Sequence, residues 1–221
     1  MVVYEPDCST HLQRSIWWCY TVNVLRRLGG HPALDFVNTI DPREGEDRVE
    51  HLQSFADLLD WACRGGVVTA RERQRAVREA SRRPAAAAQA FRRAIALREA
   101  ICAAFGAVAA GGNLPSAALA EIESAYRDAI AHARLIRTRS RFGWRVGSGL
   151  ELVRWQIARQ AVALLESDRI GRVKRCPGSG TCGWLFLDSS RNGSRRWCSM
   201  EGCGNRAKMR RFAGRRRRAR H

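Results

Sequence analysis

Four cysteines fall within 28 residues near the end of this 221-residue chain. Cys176, Cys182, Cys198 and Cys203 follow the pattern C-x5-C-x15-C-x4-C, which is two close pairs separated by a spacer. Each close pair can supply two thiolates from one tight turn, and four thiolates fill the tetrahedral shell of Zn²⁺. The pattern therefore predicts one structural zinc ion. It does not favour a redox role, because neither pair has the C-x-x-C spacing.

The residues around these cysteines predict a small ββα-like module. The spacer alternates apolar residues at Leu185 and Leu187 and has a turn dipeptide at Asn192-Gly193, which predicts strand, turn and strand between the two pairs. A basic helix is expected to begin near Gly204. Zinc would fix the direction of this helix, which is too short to be stable in water alone.

Positive charge concentrates in the same part of the chain. The net charge is +18, and residues 169–221 hold sixteen Lys and Arg against only Asp188 and Glu201. Such a patch is typical of nucleic-acid binding. The candidate nucleic-acid contacts are Arg195, Arg196, Asn205, Arg206, Lys208, Arg210 and Arg211. Asn205 and Arg206 could reach base edges, whereas the run 215–218, after Gly214, should be flexible and attract phosphates without regard to sequence.

The preceding part of the chain is predicted to be mostly α-helical with a minor β element. Apolar periodicity and capping residues place helices at 51–63, 69–82, 85–110, 116–135 and 150–166. The Thr69 and Glu72 pair fits a capping box. The segment 135–146 resembles a strand or hairpin piece instead. Residues 1–28 lack a clear period and are expected to be an extension of uncertain order.

Polar residues near the start of this body could line a ligand pocket. His31, Asp35 and Asn38 lie in the segment GGHPALDFVNTI, and Arg141 and Trp144 could join them. A simpler alternative is that Asp35 and Asn38 bond to backbone at a helix start. No nucleophile elbow, phosphate loop, HExxH or paired-carboxylate spacing is present, so an enzyme is not expected.

Two motifs make the chain recognisable. The stretch RRWCSMEGCGNRAKMRRF, with WLFLDSSRNGS before it, resembles the CGNR zinc-finger family, and GGHPALDFVNTID resembles the start of the ABATE domain. The resemblance implies a transcription regulator with a DNA-binding finger behind a domain that senses a ligand or stress state. The first cysteine pair departs from the family's usual C-x4-C by one residue.

The expected organisation is therefore an ABATE-like domain at 29–168, a CGNR-type finger at 169–213 and a basic tail at 214–221. DNA is the expected partner, with a small-molecule effector for the body. An RNA-binding protein and a zinc-stabilised adaptor for an acidic protein partner remain alternatives. No apolar run is long enough to cross a membrane and no secretory signal is evident, so a cytoplasmic protein is expected.

Overall fold

The computed structural model describes residues 27–138, 141–180 and 182–218. Its helices and strands, in chain order, are α1 (Pro32–Val37), β1 (Ile40–Asp41), β2 (Val49–Glu50), α2 (Phe55–Arg64), α3 (Ala70–Arg82), α4 (Pro84–Ala109), α5 (Ser116–Ala131), β3 (Arg134–Thr138), β4 (Arg141–Arg145), α6 (Leu152–Leu165), β5 (Val173–Arg175), β6 (Leu185–Leu187) and α7 (Asn205–Arg218). The mostly helical body followed by a small ββα-like cysteine module is thus confirmed. The expected extension falls, up to residue 26, outside the described residues.

Capping side chains set the starts of two body helices. At α3 the Thr69 hydroxyl accepts from the Glu72 amide at 3.2 Å, and the Glu72 carboxylate accepts from the Thr69 amide at 2.7 Å. The predicted capping box is confirmed. Helix α2 begins after Ser54, later than the apolar pattern indicates, because the Ser54 hydroxyl accepts from the Asp57 amide.

Helix α4 is the centre of the body. Most of its buried apolar residues recur every three or four positions, which forms a continuous stripe along the 26-residue helix: Ala87, Ala90, Ala94, Leu97, Ile101 and Phe105. This helix contacts α1, α2, α3, α5 and α6. The small alanines allow the neighbouring helices to approach closely, so the core is built around α4.

The central helix also carries a buried arginine. Arg98 of α4 is 1% exposed and donates to both carboxylate oxygens of Glu50 at 2.8 and 2.6 Å. It also donates to the Thr39 hydroxyl at 2.9 Å. A buried guanidinium requires partners of this kind, because an unpaired buried charge is costly. Arg98 therefore ties the β1–β2 segment to the central helix.

Strands β3 and β4 form a separate antiparallel hairpin, as the segment 135–146 predicted. Leu135 pairs with Trp144 across the hairpin, and both are more than half exposed. The described helices include none with the length and apolarity that a membrane span requires.

The sheet of the cysteine module differs from the sequence prediction. Strand β6 pairs with β5, which lies before Cys176, and not with a second strand inside the spacer. The Asn192-Gly193 turn does form, with a left-handed φ of 61° at Gly193. Residues after β6 form turns because the side chain of Asp188 accepts the local amides that a strand would pair.

Strand β6 lies between two apolar clusters. Leu185 and Leu187 belong to the same core as the body helices, whereas Trp184 and Phe186 pack with the four cysteines. Successive side chains of a strand point to opposite faces, which explains this division. The cysteine module therefore shares its hydrophobic core with the body.

Candidate metal centre and nucleic-acid interface

The first cysteine pair is held at the connection between β5 and β6. Cys176 follows β5, and its amide donates to the Trp184 carbonyl at 2.8 Å. Gly178 has a φ of 39°, and a Cβ there would lie 1.9 Å from the Cβ of Cys182. The longer C-x5-C loop is therefore compatible with the cluster because glycine occupies this position.

The second pair lies at the root of the basic helix. Cys203 belongs to a π-helical turn, Met200–Gly204, that runs directly into α7. The Ser199 hydroxyl accepts from the Gly202 amide at 3.2 Å and begins this turn. The Cys198 amide donates to the sulfur of Cys176 at 3.3 Å, which links the two pairs.

The four sulfur atoms have the spacing of a tetrahedral metal site. All lie within 4.8 Å of one another, and all four residues are buried. The Sγ–Sγ distance is 3.7 Å between Cys182 and Cys198 and 3.5 Å between Cys198 and Cys203. A tetrahedron with Zn–S bonds of about 2.3 Å requires sulfur separations of about 3.8 Å. The cluster therefore fits one structural Zn²⁺ with a closed ligand shell.

The hydrogen bonds among the cysteines shift their pKa values in opposite directions. Hydrogen bonds from Cys182 and Cys198 lower the pKa of the Cys176 thiol. The same contacts raise the pKa of Cys182 and of Cys198 well above the ordinary thiol value. Four adjacent thiolates would repel one another strongly, whereas a divalent cation at the centre offsets that repulsion.

Helix α7 presents a basic and exposed surface. Its residues from Asn205 to Arg215 are exposed apart from the half-buried Ala207, and this stretch contains no acidic residue. The exposed basic residues are Arg206, Lys208, Arg210, Arg211 and Arg215. The helix continues to Arg218, whereas a flexible tail was expected after Gly214. A single glycine costs a helix only about 1 kcal/mol, so it need not end one. The last three residues of the expected tail lie outside the described residues.

The first residues of α7 are tied to the metal centre. Arg206 donates to the sulfur of Cys203 at 3.0 Å, and the Asn205 amide donates to the Glu201 carbonyl at 3.2 Å. Both side chains remain exposed. The cysteine cluster therefore fixes the orientation of the first turn of the helix.

Arg195 has a different environment from the other candidate nucleic-acid residues. Its guanidinium is half-buried and donates to the carbonyls of Leu28, at 2.8 Å, and of Trp197 and Cys198. It also lies 4.4 Å above the ring centre of Phe186. Its donors are directed at the protein's own backbone, whereas neighbouring Arg196 is exposed.

A buried ion pair organises the turn between β6 and Cys198. Asp188 is fully buried and accepts from Lys174 Nζ at 2.6 Å, from the Ser190 hydroxyl at 2.6 Å and from the Arg195 amide at 3.1 Å. Burial opposes the charge of Asp188, but Lys174 and Ser190 outweigh it and lower the pKa of the carboxyl. Sequence reasoning missed this role. The D-x-S pattern after a strand, which is typical of an Asx turn, was the available signal.

Asn38 joins the body to the cysteine module. Its side-chain amide donates to the Leu185 carbonyl at 2.8 Å, and its side-chain oxygen accepts from the Leu185 amide at 3.0 Å. The amide of Leu187, two residues after Leu185 in β6, donates to the carbonyl of Gly29. Together they pair the edge of β6 that β5 leaves open, as a neighbouring strand would.

His31 and Asp35 have structural partners as well. The His31 side chain accepts from the Ala33 amide at 3.4 Å and caps α1, and Asp35 accepts from the Gly29 amide at 2.8 Å. Burial raises the pKa of Asp35 to about 6, although the Gly29 amide and two nearby arginines oppose the shift. These contacts agree with the simpler alternative of backbone hydrogen bonding near a helix start.

Trp144, a further candidate ligand residue, lies in a different cavity of the helical body. Trp144 lines a cavity of about 310 Å³ with Gly66, Thr69 and Glu72, and none of His31, Asp35 or Asn38 lines that cavity. The side chain of Arg141 lies outside the described part of the chain. The cavity beside Trp144 therefore does not include the other described candidates, His31, Asp35 and Asn38.

Comparison with known proteins agrees with both motifs. The ABATE family model, described as "Putative stress-induced transcription regulator", matches residues 30–168, and the CGNR zinc finger model matches residues 172–218. No curated protein matches the chain. Both descriptions name regulator or zinc-finger types and not an enzyme. Because the first model covers more than half of the chain, this protein belongs to the ABATE family and carries a CGNR zinc finger behind its helical body.

Proposed function

We propose that the protein is a zinc-dependent, DNA-binding transcription regulator that acts in the cytoplasm, at the nucleoid when it is bound to DNA. The observation that carries the proposal is the exposed basic surface of α7, which begins directly at the cysteine cluster. An α-helix fits the major groove of duplex DNA, and arginine side chains can contact phosphates and guanine edges there.

The two ends of α7 have different roles in this proposal. Asn205 and Arg206 lie in the first turn, where the cluster limits their movement, so they are suited to specific contacts with base edges. The residues that follow, Lys208, Arg210, Arg211 and Arg215, neutralise phosphates. Arg196 adds a basic group beside the module, whereas Arg195 stabilises the module itself.

The proposal divides the chain into an ABATE domain at 29–168, a finger at 169–213 and a basic end at 214–221. The body would sense a small ligand and pass its state to the finger. Asn38 and Gly29 support this part of the proposal, because they bond directly to β6 of the finger. A ligand that shifts α1 would act on the strand that carries the metal site.

The test selects bound sequences from a random duplex library with the zinc-loaded full chain, and then measures affinity by fluorescence anisotropy at several salt concentrations. Arg206→Ala should narrow the gap between selected and random duplexes, by about 1 to 3 kcal/mol if a guanine contact is lost. Removal of residues 214–221 should weaken binding to all duplexes alike and flatten the salt dependence. Arg92→Ala, at an exposed arginine of the body, is the matched control.

The outcomes separate this function from its rivals. If Arg206→Ala and the removal of residues 214–221 reduce sequence specificity equally, the two ends of α7 do not have the different roles proposed here. Binding to single-stranded RNA in preference to duplex DNA would favour an RNA-binding protein. No binding to either nucleic acid at moderate salt would leave an adaptor for acidic proteins as the better account.

A further inference from the structure

One face of the β3–β4 hairpin is apolar, basic and exposed. In an antiparallel pair, residues directly opposite one another, and residues two apart on one strand, share a face. Leu135 pairs with Trp144 and Arg137 pairs with Phe142, so these four residues form one face, which we call the hairpin face. Phe142 is 71% exposed, Leu135 56% and Trp144 53%, and Arg137 is exposed as well. Contiguous exposed apolar side chains of this size mark an interaction surface.

The body supports the hairpin from its other side. Ile136 and Gly143, which point away from the hairpin face, are half-buried and line a cavity together with Val67. Trp144 also lines this cavity and still remains about half exposed. Arg159 of α6 donates to the Trp144 carbonyl at 3.4 Å. The hairpin face is therefore presented outward on a support that is fixed to the helical body.

The charge of the hairpin favours an anionic partner. Residues 134–145 include no acidic residue and five arginines, namely Arg134, Arg137, Arg139, Arg141 and Arg145. Within the described part of the chain, the side chains of Arg134, Arg137 and Arg145 form no ion pair and donate no hydrogen bond. Two copies of this face would bring like charges together, which disfavours a second copy of the chain as the partner.

The turn of the hairpin does not favour a lipid surface. Its sequence at 138–141, TRSR, is polar and basic. A hairpin that inserts into the boundary of a bilayer needs apolar side chains at the end that enters, because their burial supplies the binding energy. In this hairpin the large apolar side chains lie along the strands.

The two aromatic rings are placed to stack with nucleic-acid bases. Phe142 and Trp144 are two residues apart on β4, which separates them by about 6.8 Å along the strand. This is about twice the 3.4 Å spacing of stacked bases, so each ring has room for its own base. Aromatic side chains interleaved with arginine are typical of surfaces that bind single strands. In the finger, by contrast, Trp184 and Phe186 are buried and not accessible to a base.

From these features we propose that the hairpin face binds single-stranded DNA. Bases stack on Phe142 and Trp144, and Arg137 with the neighbouring arginines pairs with phosphates. Bases of an intact duplex are stacked on one another and do not offer their faces to such a surface. The four residues of the face include no hydroxyl or amide side chain to recognise the 2′-OH of RNA. The choice of DNA over RNA also rests on the function proposed above, whereas the surface itself is separate from α7.

The test measures binding of the zinc-loaded full chain to labelled oligothymidylate of about 12 nucleotides, a length within the range of known single-strand sites. An abasic strand of the same length carries the same phosphates without bases. Fluorescence anisotropy at moderate salt should show at least about five-fold tighter binding to oligothymidylate than to the abasic strand, because only the former can stack. Removal of residues 214–221 should weaken binding to both strands alike, since it removes charge alone.

Variants of the two rings assign the difference to the hairpin face. Phe142→Ala and Trp144→Ala should each weaken binding to oligothymidylate by about five-fold or more and leave binding to the abasic strand unchanged. Trp144→Phe, which keeps an aromatic ring, should retain most of the affinity. Leu119→Ala, at a partly exposed apolar residue of α5, is the matched control and should bind both strands normally. Phe142 is the more exposed ring, so its removal is not expected to disturb folding.

Equal affinity of the intact protein for the two strands would overturn the proposal, as would unchanged binding of oligothymidylate by both alanine variants. Tighter binding to oligouridylate than to oligothymidylate would make RNA the partner. Binding to anionic vesicles that Phe142→Ala abolishes, without any effect on oligothymidylate, would make it a lipid surface. Failure of the function proposed for α7 looks different, because selected duplexes would then bind no better than random ones while the ring variants still lose single-strand affinity.

Discussion

The side chain of Asn38 pairs with both backbone groups of Leu185, 147 residues further along the chain. One amide side chain thereby takes the place of a strand at the edge of β6. Because Leu185 is fully buried, water cannot replace either bond. The Asn38 side chain is thus one of the contacts that fix the position of the finger relative to the body.

Replacing Asn38 with alanine should destabilise the protein by about 2 to 4 kcal/mol, because it leaves two buried backbone groups without partners. Equilibrium urea unfolding measures this change. Asn192→Ala, in an exposed turn of the finger, should have little effect and is the control. Equal, small effects of both substitutions would show that the pairing contributes little.

Loss of zinc should destabilise the helical body as well as the finger. From sequence alone the body would be expected to tolerate it, since its own helices do not bind metal. Leu185 and Leu187 nevertheless belong to the body core, and β6 lies between that core and the cysteines. Cys203→Ser should therefore abolish the bound zinc and also lower the melting temperature of the helical signal in circular dichroism.

The matched control for this prediction is Cys102→Ser, which changes a half-buried cysteine of α4 away from the cluster. Its zinc content should equal that of the unmodified protein by elemental analysis. An unchanged melting temperature of the helices in zinc-free Cys203→Ser protein would mean that the two cores are energetically independent.

Asp35 should make stability depend on pH. Burial raises the pKa of this carboxyl from 3.8 to about 6 in the folded protein. The folded state therefore prefers the protonated form: the full cost of the charge is present above about pH 6, falls as the pH decreases and disappears below about pH 4. Asp35→Asn keeps an oxygen for the Gly29 amide and removes the charge.

The Asp35→Asn variant should thus be more stable than the unmodified protein at pH 7.5, by roughly 1 to 3 kcal/mol, and the difference should shrink toward pH 4. Chemical unfolding at several pH values tests this. The exposed Asp47→Asn is the control. A difference that is independent of pH would show that the charge on Asp35 costs nothing in the folded state.

Local patterns in the sequence predicted much of the fold, whereas long-range pairings were not accessible. The Thr69–Glu72 capping box and the cysteine spacing act within a few residues, so spacing is sufficient to identify them. The partners of β6 could not be inferred in the same way. Strand β5 precedes the first cysteine pair whereas β6 follows it, and Asn38 lies almost 150 residues earlier in the chain. The same limit applies to Arg195: its residue type predicted a contact with DNA, but its hydrogen bonds to backbone carbonyls could not be foreseen from the sequence.

The same contrast between local spacing and long-range contacts applies to the candidate functional sites. The zinc ligands follow from residue type and spacing, since few other arrangements of four cysteines satisfy a metal. The proposed ligand pocket around His31 was inferred from polar residues near apolar ones, and such residues also satisfy backbone groups at helix starts and strand edges. Only the contacts of Asn38, Asp35 and His31 in the structure distinguish residues that would bind a ligand from residues that bond to the protein's own backbone.

The C-terminal half of α7 should be a marginal helix that DNA stabilises. Arg206 and Arg210, and also Arg211 and Arg215, are like charges four residues apart, which weakens an isolated helix. Gly214 adds a cost of about 1 kcal/mol relative to alanine. No atom lies within 4 Å of a Cβ placed on Gly214, so alanine fits without rearrangement.

Gly214→Ala should therefore increase the helical signal of the free protein and strengthen binding to duplex DNA by up to about five-fold, because less helix must form on binding. Gly214→Pro should break the helix at this position and weaken binding, while it leaves the zinc content and the charge unchanged. Circular dichroism with and without DNA, together with anisotropy, measures both effects. If Gly214→Ala and Gly214→Pro bind DNA equally well, the residues after Gly214 contribute their charge alone, and helical structure beyond that position has no part in recognition.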